Sequence, residues 1–579
     1  MPWRDPEDPQ KIRLFAGQDR KRLRDRMLRR DFLSASSFAL GASATGVAAA
    51  APIVTTKGAG AAKNILDYGA VPDGKTLNTK SIQRAIDEAF QAGGGLVYAP
   101  PGTFLTGGLE LKSRVTLYVE AGCVLLGSPN IADYIYHPGP SQQGDANGHH
   151  FIFAQNADDV SLCGPGTLDG QGQAYWEPNP DRPPLPPEEA WHDVASGHFQ
   201  TINNNSRPSP MLEFVGCRNV RITGVTLKNS SGWTLRPINC ETVVIDGIRI
   251  RNPFWGRNTD GLDITSCRNV FVSNCDIMGG DDAICLKSEN YYGTDVLPSK
   301  NITITNCVVW CASNGFKMGT ATSGAFENIV FSNSVIYSDN GAPMMNRNIG
   351  GINIETVDGG SVDGVLVSNI RLQNVRTPIF VRLGKRTPRS GSFLRNVLIE
   401  GVDAVGSIFS SSITGVPGLR PSDITVSNCR FRTVEEGQPS WITREIPEMV
   451  DAYPENWNFG RLPAYGFYVR HADRVRLRNI EYITDKPDAR PAVVCDDVDD
   501  IILAGLELSA PTGNAPLIDL RNTRRAFLTG MRSPLGSTVF AQVSGAGSSG
   551  ITLLSNSLNP GQKPVEFADG ATEQSTRID

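Results

Sequence analysis

Short runs of β-branched residues recur along the chain from residue 160 onward, and each alternates apolar and polar positions. This period of two is typical of a strand that buries one face. Between Val220 and Ile424 successive runs start 23, 27, 32, 27, 36, 32 and 27 residues apart. The intervals fit a coil of roughly 23 residues with loops of variable length inserted. The runs start at Val160, Val220, Val243, Val270, Ile302, Ile329, Val365, Val397, Ile424, Val475 and Ile501.

Every run is followed by a turn residue at the same phase, because Asn or Gly stands four positions after each start. Asn and Gly tolerate a left-handed backbone at low cost. Repeats of this length without helical periodicity favour a right-handed parallel β-helix, in which neighbouring coils lie ~4.8 Å apart. The turn residues are Gly164, Gly224, Gly247, Asn274, Asn306, Asn333, Asn369, Gly401, Asn428, Asn479 and Gly505.

Several cysteines repeat in phase with the runs. One set lies three residues before a run start and another lies five residues after one, which predicts two interior ladders of small apolar side chains. A metal site would instead need ligands that converge, and the 11 cysteines lack the spacing of a zinc site or a disulfide framework. The two sets are Cys217, Cys240 and Cys267, and Cys275, Cys307 and Cys429.

The segment before the repeats predicts a cap. Residues 81–90 have an apolar period of 3.6 between Thr79 and Gly93–Gly95, which indicates a short helix over the open end of the coil. We therefore predict an all-β fold, a single-stranded right-handed parallel β-helix over residues 64–570, with this N-terminal capping helix and several long loops. Long loops on such a scaffold usually form the binding face. They are predicted at residues 171–207, 287–299, 338–350 and 433–466.

The N-terminus is predicted to direct export. Residues 1–30 are rich in basic residues and end in Arg29-Arg30, and the run Phe38–Ala50 that follows is weakly apolar. Paired arginines before such a run are typical of a twin-arginine signal. We expect residues 1–51 to be this signal, recognised by the twin-arginine machinery, and 52–63 to be a linker. The alternative interpretation is a basic tail with an Ala-rich linker.

Composition narrows the class of protein. The chain of 579 residues has 55 Lys and Arg against 60 Asp and Glu, and its net charge of −5 disfavours a nucleic-acid or polyanion partner. A hydrophobic content of 40% with 20% charged residues indicates a folded protein. No apolar run after residue 52 approaches the ~20 residues of a membrane helix. We expect the mature protein to be an exported monomer without a membrane segment, metal or cofactor.

An acidic cluster provides the candidate chemistry. Asp260 and Asp282 are 22 residues apart, about one coil, so they should face each other across one rung with Asp281 beside them. Carboxylates packed together repel, which raises the pKa of one and leaves an acid next to a base, as glycosidic cleavage requires. Because consecutive strand residues point to opposite faces, Asp281 and Asp282 need a turn or bulge to share a groove. For Asp263 we favour a structural role, as a turn residue that accepts backbone hydrogen bonds.

These residues resemble those of glycoside hydrolase family 28, the polygalacturonase-like β-helix enzymes. The resemblance extends from about residue 64 to about residue 380, and it implies an inverting mechanism with Asp281 as general acid and Asp260 with Asp282 as bases that activate water. It is carried by Asn258-Thr259-Asp260, Gly280-Asp281-Asp282, Asp67–Gly74, Gly93–Pro100 and Ser231–Leu235.

Two positions depart from the family pattern. Asn314 stands where the family has a histidine, and it cannot carry a proton at neutral pH. Asn353 and Glu355 replace the Arg and Lys that hold the uronate carboxylate in the family. Lys317 or Arg382 could replace these cations, or each could be a solvated surface charge. The predicted substrate-binding residues are Asn258, Trp233, Asn314, Lys317 and Asn353.

The leading hypothesis is an inverting, exo-acting glycosidase for a pectin-like polysaccharide or its oligosaccharides, of the polygalacturonase or rhamnogalacturonan-hydrolase type. A β-helix polysaccharide lyase and a catalytically silent carbohydrate-binding β-helix are the alternatives. Glu355 would repel a carboxylate at the cleaved bond, so we expect weak hydrolysis of plain polygalacturonan. Rhamnogalacturonan-type oligosaccharides are then the first candidate substrates.

Overall fold

A computed structural model of the chain describes residues 62–137, 147–186, 189–202, 206–289, 296–387 and 389–578. The proposed export signal and most of the proposed linker lie outside these residues. The described residues form a parallel β-helix, as predicted, and their strands run from Lys63–Asn64 to Thr576–Ile578. None of the helices in this part of the chain is both long and apolar enough to span a membrane.

Each regular coil contributes three strands, and each strand pairs in parallel with its equivalent one coil earlier and one coil later. Leu212–Val215, Arg218–Thr223 and Thr226–Lys228, for example, pair with the corresponding strands of the next coil. The strands thus form three stacks, named stack 1, stack 2 and stack 3 in the order in which a coil meets them. Side chains alternate between the interior and the surface along every strand.

The strand bounds follow this order. Stack 1 contains Leu109–Glu110, Ile152–Gln155, Leu212–Val215, Leu235–Ile238, Leu262–Thr265, Ile284–Ser288, Asn314–Thr322, Gly350–Thr356, Thr377–Leu383, Ser411–Thr414, Pro516–Arg521, Val539–Ser544 and Lys563–Ala568. Stack 2 contains Lys63–Asn64, Gly95–Ala99, Val115–Val119, Ser161–Cys163, Arg218–Thr223, Glu241–Asp246, Arg268–Ser273, Ser299–Thr305, Arg524–Thr529, Ile551–Leu554 and Thr576–Ile578. Stack 3 contains Gly102–Thr106, Cys123–Gly127, Thr167–Asp169, Thr226–Lys228, Arg249–Arg251, Asp276–Gly279, Val308–Cys311 and Glu507–Leu508.

In the later coils one continuous strand runs through more than one stack. Stacks 2 and 3 are joined in Ala325–Tyr337, Ser361–Gln373, Phe393–Ser407 and Ser422–Thr433. Val493–Ala504 joins stacks 1 and 2, and Phe467–Thr484 passes through all three. Outside the stacks, Trp176–Pro178 and Phe199–Thr201 form a small antiparallel pair.

The turn between stack 2 and stack 3 explains the regular Asn and Gly. All eleven predicted turn residues have a positive φ, between 49° and 107°. Several of the asparagines also hydrogen bond to each other from coil to coil: the Nδ2 of Asn369 donates to the Oδ1 of Asn333 at 3.2 Å, and Asn479 donates to Asn428 at the same distance. The turn residues therefore hold the coils in register as well as allowing the chain to bend.

The interior is filled by stacked apolar side chains, among them the predicted cysteine ladders. Cys217, Cys240 and Cys267 are buried, and the backbone N–H of each of the first two donates to the Sγ of the next cysteine at 3.4 Å. The second predicted set is buried as well, and every cysteine in the described chain is a free thiol. These cysteines act as small core residues.

The predicted cap is an α-helix, Thr79–Gln91, which turns Ile82, Ala85, Ile86 and Ala89 into the open end of the coil. The remaining helical segments are short 3-10 turns, and many of them lie in the long loops. The bounds of these turns are Ile65–Tyr68, Ile131–Asp133, Gly172–Tyr175, Ala190–His192, Ala195–His198, Met344–Asn346, Pro439–Trp441, Asn456–Phe459 and Glu573–Ser575.

The outer face of stack 1 differs from an ordinary solvent-facing strand surface. Its residues Glu213, Arg236, Asp263, Lys317 and Asn353 project from the coil, yet each is at most 1% exposed because loops cover them. Burying charge in this way is costly unless partners compensate it. The outer face of stack 1 is therefore the candidate location of the functional site.

Truncation of a stacked core residue tests this architecture. Ile304 is fully buried between Val272 and Phe331 of the adjacent coils. Ile304→Ala should cost about 2–5 kcal/mol of unfolding free energy through lost burial and a cavity. Thr303→Ala, on the exposed side of the same strand, is the matched control and should have little effect. Thermal unfolding at a fixed scan rate measures both; equal midpoints for the two variants would contradict the assigned facing.

Candidate active site

A cavity of about 570 Å³ opens over the outer face of stack 1. Loops from three places surround it: the 171–207 region, the connections that carry the acidic cluster, and the long loop 434–466. Polar and aromatic side chains dominate the lining. The lining residues are Trp176, Gln200, Thr201, Arg207, Trp233, Arg257, Asn258, Asp260, Asp281, Asp282, Lys287, Thr320 and Tyr453.

The three predicted carboxylates meet in this cavity. One oxygen from each of Asp260, Asp281 and Asp282 lies within 4.8 Å of the others. Asp281 and Asp282 follow the strand Asp276–Gly279 in a bend rather than in a strand, which supplies the turn that their shared direction requires. The backbone N–H of Asp282 donates to the Oδ1 of Asp281 at 2.9 Å and fixes the bend.

Close packing of two loops sets the positions of these acids. A side chain at Gly280 would lie 2.3 Å from the carbonyl oxygen of Gly256, so only glycine lets the two connections approach. The Oγ1 of Thr259 accepts from the N–H of Gly280 at 3.1 Å. The N–H of Gly261 donates to the carbonyl of Asp282 at 2.9 Å, which extends the parallel pairing of the strands up to the acids.

Asp282 is held as an anion. Its Oδ1 accepts from the Oγ of Ser313 at 2.7 Å and from the N–H and Nδ2 of Asn314 at 3.0 and 2.8 Å. Its Oδ2 pairs with the Nζ of Lys317 at 3.1 Å. Burial opposes ionisation, but the charges of Lys317 and Lys287 and these hydrogen bonds outweigh it and lower the pKa of Asp282.

The pKa values of the two neighbouring carboxyls shift in the opposite direction. Burial, together with the negative charge of Asp282, raises the pKa of Asp281 to about 7. Burial and the charges of Asp263 and Asp281 raise the pKa of Asp260 well above its ordinary value. The Oδ1 of Asp260 is buried and finds no hydrogen-bond partner within the described chain. The cluster therefore combines an anion with one carboxyl whose pKa is about 7 and a second carboxyl whose pKa is raised.

Asp263 is not a turn residue, and that expectation is wrong. It lies within the strand Leu262–Thr265, is fully buried, and pairs with the Nζ of Lys287 at 3.1 Å. The same ammonium group lies 5.0 Å from the ring centre of Trp233. Asp263 and Lys287 thus form a buried ion pair at the floor of the cavity.

The five predicted substrate-binding residues divide into two groups. Asn258 and Trp233 line the cavity. Asn314, Lys317 and Asn353 are at most 1% exposed and do not line it. Direct substrate contact by these three disagrees with the structure because they are buried. Asn314 and Lys317 contact Asp282, and the Nδ2 of Asn353 donates to the Oδ1 of Asn314 at 3.0 Å.

Lys317 and Arg382 are not surface charges either. The Nζ of Lys317 lies 3.4 Å from the Oε1 of Glu455 and 3.2 Å from the hydroxyl of Tyr453, as well as close to Asp282. Arg382 is 3% exposed, and its guanidinium donates to the carbonyls of Gly415, Glu448 and Met449. Lys317 therefore supports Asp282, and Arg382 anchors the long loop.

Glu455, Tyr453 and Lys287 are site residues that sequence reasoning did not identify. Glu455 and Tyr453 come from the long loop and lie 138 and 136 residues from Lys317 along the chain. The only signal for them was the density of aromatic residues in that loop. Lys287 ends the segment that contains Gly280-Asp281-Asp282, and its register beside Thr265 could have placed it on the outer face.

The three carboxylates are also close enough for one oxygen of each to contact a single cation. A Ca²⁺ ion takes 6–8 oxygen ligands in proteins. Of the nearby groups, however, Asp282 already uses both oxygens on Ser313, Asn314 and Lys317. The residues present fit an acid–base centre better than a dedicated cation site.

Comparison with known proteins agrees with this geometry. Residues 139–392 match the model of the glycosyl hydrolases family 28, and residues 62–135 match that of the rhamnogalacturonase A/epimerase, pectate lyase-like family. A probable polygalacturonase of Vitis vinifera is 26% identical over 72% of this chain and 86% of its own length. An exo-poly-alpha-D-galacturonosidase of Dickeya chrysanthemi is 26% identical over 54% of this chain and 55% of its own.

Solved structures share the fold. The exopolygalacturonase of Thermotoga maritima superposes with a TM-score of 0.54 at 23% identity, over 73% of this chain and 91% of that one. The family 28 exopolygalacturonase of Yersinia enterocolitica gives a TM-score of 0.57 at 20% identity, over 76% and 78% of the two chains. The family match over the acidic cluster and the polygalacturonase relatives thus make this chain similar to the glycosyl hydrolases of family 28 and indicate a glycosidase.

Proposed function

We propose that the protein hydrolyses a pectic polysaccharide or its oligosaccharides with inversion, with Asp281 as the general acid. The observation that carries the proposal is the pair of opposite pKa shifts on adjacent carboxyls, Asp281 raised to about 7 and Asp282 lowered. Such a pair supplies a proton for the departing oxygen and a base for water at the same pH. The names of the relatives, polygalacturonases, support the pectic substrate.

The contacts of Asp282 favour activation of water over direct attack. Both of its oxygens are occupied, by Ser313 and Asn314 on one side and Lys317 on the other, which makes it a poor nucleophile. Asp260 has a raised pKa and can share a proton with its neighbours. A water held between Asp260 and Asp282 would lose its proton to Asp282 as Asp281 protonates the leaving group.

Exo action is proposed from the walls of the cavity. The antiparallel pair Trp176–Pro178 and Phe199–Thr201 lies on one side, and Tyr453 of the long loop lies on another. A groove that cleaves within a long polymer needs to be open at both ends, so walls on these sides favour cleavage at a chain end.

We also propose export through the twin-arginine signal of residues 1–51, which follows from sequence only.

Replacement of the acid tests the assignment directly. Asp281→Asn should lower turnover of pectic oligosaccharides by ~10²–10⁴ because the leaving group is no longer protonated. Asp276→Asn, which neutralises a half-buried carboxylate paired with Arg251 on the preceding strand, is the control and should retain activity. Products of polygalacturonan and rhamnogalacturonan oligosaccharides are quantified by chromatography. Near-parental rates in the Asp281 variant would refute its role, and failure of the parent on every pectic substrate would refute the proposed function.

The pH profile tests the role of Lys317. Parental activity should fall as the pH rises through about 7, where Asp281 loses its proton. Lys317 lowers the pKa of both Asp281 and Asp282, so Lys317→Met should move both limbs of the profile to higher pH, by about one to three units. Lys317→Arg keeps the charge and should leave the limbs in place. An unchanged profile in a folded Lys317→Met enzyme would contradict this account.

A further inference from the structure

A second cavity of about 480 Å³ adjoins the first, and Trp233, Lys287 and Thr320 line both. It lies over the connections that leave stack 1, on the side toward stack 2. Three cations line it, Lys287, Arg386 and Arg389, against two carboxylates. The complete lining is Trp233, Lys287, Glu289, Thr320, Ala321, Ser323, Asp358, Arg386, Thr387 and Arg389.

The contacts of these groups leave the cavity able to accept an anion. Asp358 uses Oδ1 on the Nε of Arg386 at 2.7 Å and Oδ2 on the N–H and hydroxyl of Thr322 at 3.1 Å. Within the described part of the chain, the two terminal nitrogens of Arg386 have no hydrogen-bond acceptor. The guanidinium is held in place, since it also lies 5.5 Å from the ring centre of Tyr453.

Arg389 and Lys287 add charge on either side. Arg389 is exposed, and its Nη1 donates to the carbonyl of Ser323 at 3.3 Å. Lys287 reaches from the floor, where Asp263 pairs with it. Among the lining residues the cations thus outnumber the carboxylates by one, and Trp233 and Thr320 line both this cavity and the cavity of the acid cluster.

We propose that this second cavity is a subsite for the carboxylate of a uronate sugar next to the cleaved bond, with Arg386 and Arg389 as its specificity-determining residues. The proposal rests on the proposed function. An arginine fork matches a carboxylate in geometry and charge. Asn353 and Glu355 are buried and neither lines this cavity, whereas Arg386 and Arg389 of the connection 384–392 do.

The second cavity adds cations to those that line the first. A uronate in the second cavity leaves the adjoining sugar above the acid cluster, where Arg207, Arg257 and Lys287 line the first cavity. Glu355 does not disfavour such a substrate because Glu355 is fully buried beside Asn353. The subsite thus assigns acidic-sugar recognition to Arg386 and Arg389 rather than to the positions of Asn353 and Glu355.

Binding by an enzyme that cannot turn over tests the proposal. In an Asp281→Asn background, the Kd of galacturonate trisaccharide and of its fully methyl-esterified form is measured by calorimetry, with Arg386→Gln and Arg389→Gln added singly. Each substitution should weaken binding of the acid about 10- to 100-fold and of the ester less than about 3-fold, because only the acid loses a charge-assisted contact. Arg395→Gln, an exposed arginine on a strand of stack 2 paired with Asp363, is the control.

The outcomes separate this proposal from the proposed function. Unchanged binding of the acid, equal losses for acid and ester, or no binding of the acid by the background enzyme would overturn the subsite. Because Arg386 supports Asp358, Arg389→Gln provides a second variant in which the fold is not at risk, and thermal unfolding checks both. Charge-selective binding by a parent that hydrolyses no pectic substrate would support the subsite and refute the function. Hydrolysis of a pectic substrate without charge-selective binding would support the proposed function and refute the subsite.

Discussion

The site depends on the cost of burying several carboxylates side by side. Asp260, Asp263 and Asp282 are each at most 4% exposed, and charges so placed repel unless cations compensate them. Two lysines provide this compensation from the floor, Lys317 beside Asp282 and Lys287 beside Asp263. This compensation is greater at Asp282 than at Asp281. Asp282 is therefore ionised, while the carboxyl of Asp281 keeps a pKa of about 7.

The β-helix makes such an arrangement possible because it converts distance along the chain into a fixed separation in space. Residues one coil apart are held at the spacing of paired strands, ~4.8 Å, and the pairing continues into the connections that carry the acids. The N–H of Thr234 donates to the carbonyl of Asp260 at 2.9 Å, and the N–H of Gly261 donates to that of Asp282 at the same distance. The rigid backbone holds the carboxyls together against their repulsion.

This regularity also decides what the sequence could predict. One repeat phase accounts for the fold, the left-handed Asn and Gly turns, the cysteine ladders and the meeting of the three acids. Glu455 and Tyr453 do not, because they belong to a loop outside the repeat and reach Lys317 only through the folded chain. The burial of Asn314 and Lys317 was missed for the same reason: their register was clear, but the loop that covers them was not.

The stereochemistry of the first product tests the central claim most directly. One oxygen from each of the three carboxyls lies within 4.8 Å of the others, which is shorter than the separation of about 6.5–9.5 Å that is common in inverting enzymes. The occupied oxygens of Asp282 argue for water as the nucleophile nonetheless. Proton NMR during hydrolysis of a pectic oligosaccharide shows which anomer appears before mutarotation. The account predicts the inverted anomer; initial formation of the retained anomer, or an unsaturated product, would contradict it.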